Sequence, residues 1–238
     1  MQLSDGGVVC EFVRQRCTHD SLFQPFYKRP PLRQALLTRS PPRRCFPHCC
    51  PNHAHRGFCG SSLHVRVEWP SSASAGIRRP PPPPPPSIRV LGRFRLSDTP
   101  RLPLGHVLEA ATVFNAVQSD DTPNGEWIDS QMIYSWSETN WLFEINSAAR
   151  WFYGWESSTV KSQRLKDHVL DVYVLAAATS PSSGADVLRV VAATTSPAFQ
   201  LISFRRATDD AMLALSATHH VRQQLQSGGG GGGEVEEE

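Results

Sequence analysis

Beyond about Ser97, hydrophobic residues recur at intervals of three and four, a pattern that predicts amphipathic helices. A first helix begins near Pro103, which suits a first turn, and ends at the turn residues 120–125. Its apolar face would consist of Leu104, Val107, Leu108, Ala111, Phe114 and Val117. A second helix is predicted from about Trp141 to Trp155, and its apolar face would consist of Trp141, Ile145, Ala148, Ala149 and Phe152. Residues 127–136 fit either a short helix or a strand.

The segment that follows mixes helix and strand signals. A third helix, capped by one of two adjacent serines, starts near residue 157. Its second half, residues 169–178, is apolar almost all round, so this part is either a central buried helix or in part a strand. Residues 185–195 and 198–206 are separated by Pro197 and are rich in β-branched side chains, which predicts two strands.

The first 70 residues lack a sustained period of either 2 or 3.6, and many prolines interrupt them. A short helix at Leu32–Thr38 and a short strand at Leu63–Trp69 are the only elements predicted there. Such a segment buries too little apolar surface to offset the entropy of ordering. The seven prolines from Pro80 to Pro86 predict a polyproline II spacer of roughly 22 Å.

The predicted fold class is therefore mainly α, or α+β with a short β-hairpin. A single small helical domain would occupy residues 97–226 and end in a helix capped by Thr208. A basic arm of low order, residues 1–96, would precede this domain, with the polyproline linker 80–86 near its end. A disordered glycine- and glutamate-rich tail, residues 227–238, would follow it.

Charge divides the chain in the same way. Residues 1–86 carry 12 basic and 4 acidic side chains, whereas residues 87–238 carry 12 and 18. A basic arm beside a mildly acidic domain suggests nucleic acid as a partner of the arm. Arginine outnumbers lysine 21 to 3, and GC-rich codons explain this better than phosphate recognition does. A mispredicted or unselected reading frame in the N-terminal half is a further alternative.

The sequence shows no secretory or membrane-targeting signal, which favours an intracellular protein, nuclear or cytoplasmic. No run of 18 apolar residues predicts a transmembrane helix, so we expect no membrane partner. Three acidic residues near the N-terminus and no apolar core segment argue against a secretory signal. The six cysteines are then thiols or metal ligands rather than disulfides.

A cluster of cysteine and histidine residues is the main candidate metal site. The candidate ligands are Cys45, Cys49, Cys50, His53, Cys59 and His64. Zinc needs four nitrogen or sulfur ligands, which this inventory supplies, but no Cys-x-x-Cys pair exists and the spacing matches no common zinc finger. The alternative is an unstructured stretch that is rich in both residue types.

The proline run also has the pattern of a linear motif. Basic-x-x-Pro-x-x-Pro occurs twice, and its members are Arg78, Arg79, Pro81, Pro82, Pro84 and Pro85. Such segments dock into aromatic grooves as preformed polyproline II, so a polyproline-binding domain is a candidate partner. The alternative is a plain spacer. Ser40, which precedes Pro41, is the best candidate for proline-directed phosphorylation.

Aromatic residues concentrate between Trp127 and Trp155, which hold five of the six tryptophans. Aromatics at this spacing are more often core than a binding platform, so we interpret them as core. Common catalytic, phosphate-binding and dinucleotide-binding motifs are lacking, so we expect neither an enzyme nor a cofactor. The sequence thus predicts a non-enzymatic interaction protein whose helical domain binds a protein partner.

The alternative, nucleic-acid binding by the arm, has a direct test. Phosphate neutralisation releases counterions, so the affinity of the chain for DNA or RNA should fall steeply as the salt concentration rises. A fluorescence titration at several salt concentrations measures this, and an affinity that does not change with salt would exclude it.

Overall fold

The structure is a computed structural model that describes residues 7–15, 21–29, 63–70, 87–119, 121–122, 125–146, 151, 153, 166–179 and 184–203. Within these residues the protein is built from ten β-strands in two sheets, with one short helix. The mainly α fold class and the helical domain predicted from the sequence are therefore wrong. No helix in this part of the chain has the length and apolar character needed to cross a bilayer.

The elements follow each other in chain order. They are β1 (Val9–Val13), β2 (Phe26–Arg29), β3 (Leu63–Glu68), β4 (Ile88–Leu96), β5 (Val107–Glu109), α1 (Ala110–Asn115), β6 (Ser130–Ser137), β7 (Asn140–Ile145), β8 (Asp167–Thr179), β9 (Asp186–Thr195) and β10 (Phe199–Ser203). Four of these strands lie within residues 1–96, the stretch for which the sequence predicted an arm of low order.

The first sheet has the antiparallel order β1–β3–β7–β6. The second has the order β2–β10–β8–β9–β5, and β4 also pairs with β8 along nine residues. Gly92 of β4 and Ile128 exchange two backbone hydrogen bonds of 2.8 Å, which link the second sheet to the chain just before β6. The main core lies between the two sheets and takes residues from both.

Strand β8 is buried on both faces. Leu170, Val172 and Val174 point into the main core. Tyr173 and Leu175 point to the opposite face, where α1 and neighbouring segments cover them in a second apolar cluster. Burial on both faces explains why residues 169–178 are apolar almost all round, a pattern that a buried helix would share.

The predicted helix from Trp141 to Trp155 is wrong over its first part, because Asn140–Ile145 forms strand β7. Trp141 and Ile145 are both fully buried there. A spacing of four residues returns to the same face in a strand as well as in a helix, so these two positions do not separate the alternatives. The first predicted helix is shortened to Ala110–Asn115, because Val107–Glu109 forms strand β5.

Several strand predictions are confirmed. The alternating segment at Leu63–Trp69 is β3, and the two segments on either side of Pro197 are β9 and β10. Residues 127–136, which fitted either element, contribute to β6. The predicted helices at Leu32–Thr38 and after Thr208, and the tail, lie outside the described residues.

Gly125 lies where two backbone segments approach closely. A Cβ atom added to it would come within 2.6 Å of the Ala116 carbonyl oxygen and 2.8 Å of the Gln118 nitrogen. Both of those groups hydrogen bond to Trp127, so neither can move without disturbing that pairing. Glycine is required at position 125 because the surrounding backbone leaves no room for a Cβ atom.

We predict that Gly125→Ala lowers the free energy of unfolding by roughly 1–3 kcal/mol. Gly92→Ala is the matched control, because its Cβ would meet its nearest neighbour at an ordinary 3.4 Å. The control should stay within about 1 kcal/mol of the wild type. Urea unfolding of the three proteins measures this, and equal stabilities would contradict the prediction.

Candidate functional site

Four large hydrophobic side chains are exposed on β6, which presents them on both of its faces. Met132, Ile133, Tyr134 and Trp136 are between 42% and 54% exposed, and we call them the β6 stripe. Single exposed hydrophobic residues are normal on protein surfaces, but several on one strand mark a binding surface or an aggregation hazard. This cluster is the strongest candidate functional site in the described part of the chain.

Strand β6 is an edge of the first sheet. Edge strands usually carry charged residues or proline, which discourage uncontrolled pairing with other strands. Residues 130–137 contain neither, and the nearest charges are Asp129 and Glu138 at the two ends. The strand instead has two bulges, between Met132 and Tyr134 and between Ser135 and Ser137.

The bulges favour recognition by side chains over extended backbone pairing, because each one interrupts the regular order of hydrogen-bonding groups. Tyr134 and Trp136 supply a suitable pair of rings, with centroids 5.1 Å apart and planes inclined by 70°. Both rings present an apolar body with a polar tip that can hydrogen bond. The pair can therefore bind an apolar segment and also donate to its carbonyl groups.

The β6 stripe is held on a rigid support. On the neighbouring strand β7, Trp141 and Leu142 are both buried. At the end of the hairpin, the Ser135 hydroxyl donates to the Ser137 carbonyl at 2.8 Å. The Trp69 backbone N–H donates to the Thr139 carbonyl at 2.7 Å, which ties the hairpin end to the neighbouring strand. An exposed pair on such a support is positioned before a ligand arrives.

A second surface feature is a shallow cleft of about 380 Å³ beside α1. Arg89 and Phe114 line one part of it, and Asp186 lines another. The Arg89 guanidinium lies 5.8 Å from the centre of the Phe114 ring, so the arginine and the aromatic ring already contact each other. This cleft has fewer exposed apolar side chains than the β6 stripe.

Asp171 is the most deeply buried acidic residue in the described part of the chain, and both of its carboxylate oxygens accept hydrogen bonds. It accepts from the Arg95 guanidinium at 2.5 and 3.2 Å, from the Tyr173 hydroxyl at 2.9 Å and from the Thr195 hydroxyl at 2.7 Å. Arg95 also donates to the Leu96, Ser97 and Thr99 carbonyls. A carboxylate with this many donors is a structural anchor for the loop after β4.

Tyr173 extends the same network. Its oxygen accepts from the Leu102 backbone N–H at 3.1 Å. Burial raises the pKa of Tyr173 to about 12, and the neighbouring Asp171 carboxylate acts in the same direction. The hydroxyl therefore stays protonated and continues to donate to Asp171 throughout the neutral range.

His168 is the second buried polar group on β8. Its Nδ1 atom lies 2.8 Å from the Tyr153 hydroxyl, and it is 1% exposed. Phe199 lies beside its ring, and Phe94 stacks on Tyr153 with centroids 4.7 Å apart. Enclosure by aromatic rings makes this pair part of the packing between the sheets.

Most sites predicted from the sequence lie outside the described residues. These are the candidate metal ligands Cys45, Cys49, Cys50, His53 and Cys59, the polyproline motif residues Arg78, Arg79, Pro81, Pro82, Pro84 and Pro85, and Ser40. His64 alone of the metal candidates is described, and it lies on β3 opposite Val13 and Glu144. The described residues contain no group of three metal-binding side chains.

The interpretation of the tryptophans as core is confirmed for Trp127, Trp141 and Trp151, each no more than 3% exposed. Trp136 is the exception among the described tryptophans of this region, since about half of it is exposed. The exposure of Trp136 and Tyr134 was missed from the sequence because both belong to the aromatic-rich region that was interpreted as core. The available signal was the lack of any charge between Asp129 and Glu138.

Cys10 is the free thiol of the described residues, and it packs against the main core from β1. Burial raises the pKa of the Cys10 thiol well above its ordinary value, and the Glu11 carboxylate adds to this. The thiolate is the reactive form, so Cys10 is suited to packing rather than to nucleophilic chemistry.

We predict that Asp171→Asn lowers the free energy of unfolding by about 2–4 kcal/mol, because it leaves the Arg95 guanidinium without its charged partner. Glu11→Gln is the control, since it breaks the exposed pair with Arg66, in which both side chains are at least 40% exposed. That change should have an effect of about 1 kcal/mol or less. Urea unfolding measures both, and an equal loss in the two variants would contradict an anchoring role.

Comparison of the chain with protein-family models, with curated proteins and with solved structures finds no match in any of the three.

Proposed function

We propose that this chain is a non-enzymatic interaction protein whose β-domain binds an extended segment of a partner protein on the β6 stripe. The observation that supports this proposal is the joint exposure of Met132, Ile133, Tyr134 and Trp136 on one edge strand. The binding surface is thus assigned to a sheet edge instead of the helical domain expected from the sequence.

The chemistry of the β6 edge indicates which kind of partner segment would bind there. The stripe is uncharged, so the part of the ligand in contact with it is apolar. Glu138 is exposed just beyond Trp136, so a basic residue at that end of the ligand would be attracted to it. An extended ligand suits an edge strand, whose side chains run along a line.

The energy of such binding would come mainly from the two rings. Tyrosine and tryptophan are enriched among residues whose truncation weakens protein interfaces by 2 kcal/mol or more, which is about 30-fold in affinity. The deep polar groups Asp171 and His168 contribute to stability instead, because the fold encloses them.

A displayed library of random peptides, selected on the full chain, tests the proposal. The selected peptides should bind Tyr134→Ser and Trp136→Ser at least tenfold more weakly than the wild type, because each change removes an aromatic contact. Both side chains are about half exposed, so neither substitution should disturb the fold strongly.

Phe114→Ser is the matched control, since Phe114 is an aromatic residue of similar exposure on a different surface. It should leave the affinity of the selected peptides unchanged. The proposal is wrong if no peptide distinguishes the β6 variants from the wild type, or if Phe114→Ser weakens binding as much as they do.

A further inference from the structure

The side chains of β3 alternate between the two faces of the first sheet. Leu63, Val65 and Val67 belong to the main core. Arg66 and Glu68 therefore point away from it, to a face that we call the outer face. Residues paired directly across antiparallel strands share a face, so the pairing register extends this assignment to β1, β7 and β6.

The two rings of the β6 stripe lie on the outer face. Tyr134 pairs with Leu142 of β7, and Leu142 pairs in turn with Arg66. Trp136 lies beside Tyr134, because the two ring centroids are 5.1 Å apart, and we call these two residues the ring pair. Leu142 is only 4% exposed although it belongs to neither core cluster. It therefore supplies an apolar floor between the ring pair and β3.

Three carboxylates lie around the ring pair. Glu144 is two residues along β7 from Leu142, and Glu68 pairs with Asn140 on the other side of Leu142. Glu138 lies in the turn directly after β6. Strand spacing and rise per residue place each of the three on the order of 10 Å from the backbone of the ring pair. None of the three forms an ion pair with another described residue.

The charge of this face favours one sign of ligand. Arg66 is neutralised by Glu11, with 2.5 Å between its Nη2 atom and the Glu11 Oε1 atom. The carboxylates around the ring pair therefore leave a surplus of negative charge, which attracts a cationic ligand and opposes one that carries phosphate groups.

The ring pair itself suits a cation. The faces of tryptophan and tyrosine rings attract ammonium and guanidinium groups. Lysine and arginine also have aliphatic stems that pack on apolar surface while the charged end stays in water. The planes of the two rings are inclined by 70°, so together they form two walls against which such a stem can lie.

We infer that the ring pair binds a lysine or arginine side chain of the partner segment, and that Glu68, Glu138 and Glu144 attract its charge. This inference rests on the proposed function of the β6 stripe and deepens it. The partner segment is apolar apart from this basic residue, and the basic residue lies on the outer face of the sheet.

The test begins with the peptides selected on the full chain. Those whose binding depends on Trp136 should contain a lysine or arginine. The tightest of them, labelled with a fluorophore, is the basic probe. A second peptide has norleucine in place of its basic residue, which keeps an aliphatic stem and removes the charge. Fluorescence anisotropy should show the norleucine peptide binding the wild type roughly five- to tenfold more weakly than the basic probe.

One protein variant carries Glu68→Gln, Glu138→Gln and Glu144→Gln together. It should bind the basic probe roughly fivefold more weakly than the wild type does, because the attracting charges are gone. It should bind the norleucine peptide with unchanged affinity, since that peptide has no charge to attract. Unchanged binding of the norleucine peptide also shows that the ring pair is intact in the variant.

The matched control carries Glu109→Gln, Asp121→Asn and Asp186→Asn together. These three side chains are exposed, lie outside the first sheet and account for the same loss of charge. The control should bind both peptides as the wild type does. A loss as large as that of the first variant would mean that only the net charge matters, which overturns the inference.

Two further outcomes separate this inference from the proposed function. If the selected peptides depend on Trp136 but lack basic residues, or bind the first variant as tightly as the wild type, the inference fails and the proposed function stands. If no selected peptide depends on Trp136, both fail.

Discussion

Burial of β8 on both of its faces is the constraint on which the rest of the structure depends. One face closes the core between the two sheets, and the other lies under α1 and the segments beside it. Both edges of the strand are also occupied, because β4 pairs along one and β9 and β10 pair with successive parts of it. A strand enclosed in this way has to be apolar over nearly its whole length.

The exception within β8, Asp171, shows how such a strand tolerates a charge. A buried carboxylate is stable only with an opposite charge and enough donors, and Arg95, Tyr173 and Thr195 supply them. The same contacts hold the loop after β4 against the sheet. The acidic residue within the apolar stretch of β8 is therefore an anchor in the fold.

The candidate functional site therefore lies at the edge of a sheet and not in the buried interior. β6 is an edge strand of the first sheet, and four of its large hydrophobic side chains are exposed.

Some of this was determined by the sequence alone. Alternation at Leu63–Trp69 specifies a half-buried strand, and β-branched segments around Pro197 specify two more, because both signals are local. The burial of Trp127 and Trp141 also follows from composition. The choice of strand over helix at Trp141–Ile145 was decided only by the tertiary structure, since a four-residue spacing suits both elements and the pairing of β7 with β3 settles it. The same holds for the exposure of Trp136, because whether a side chain is covered depends on strands distant in the sequence.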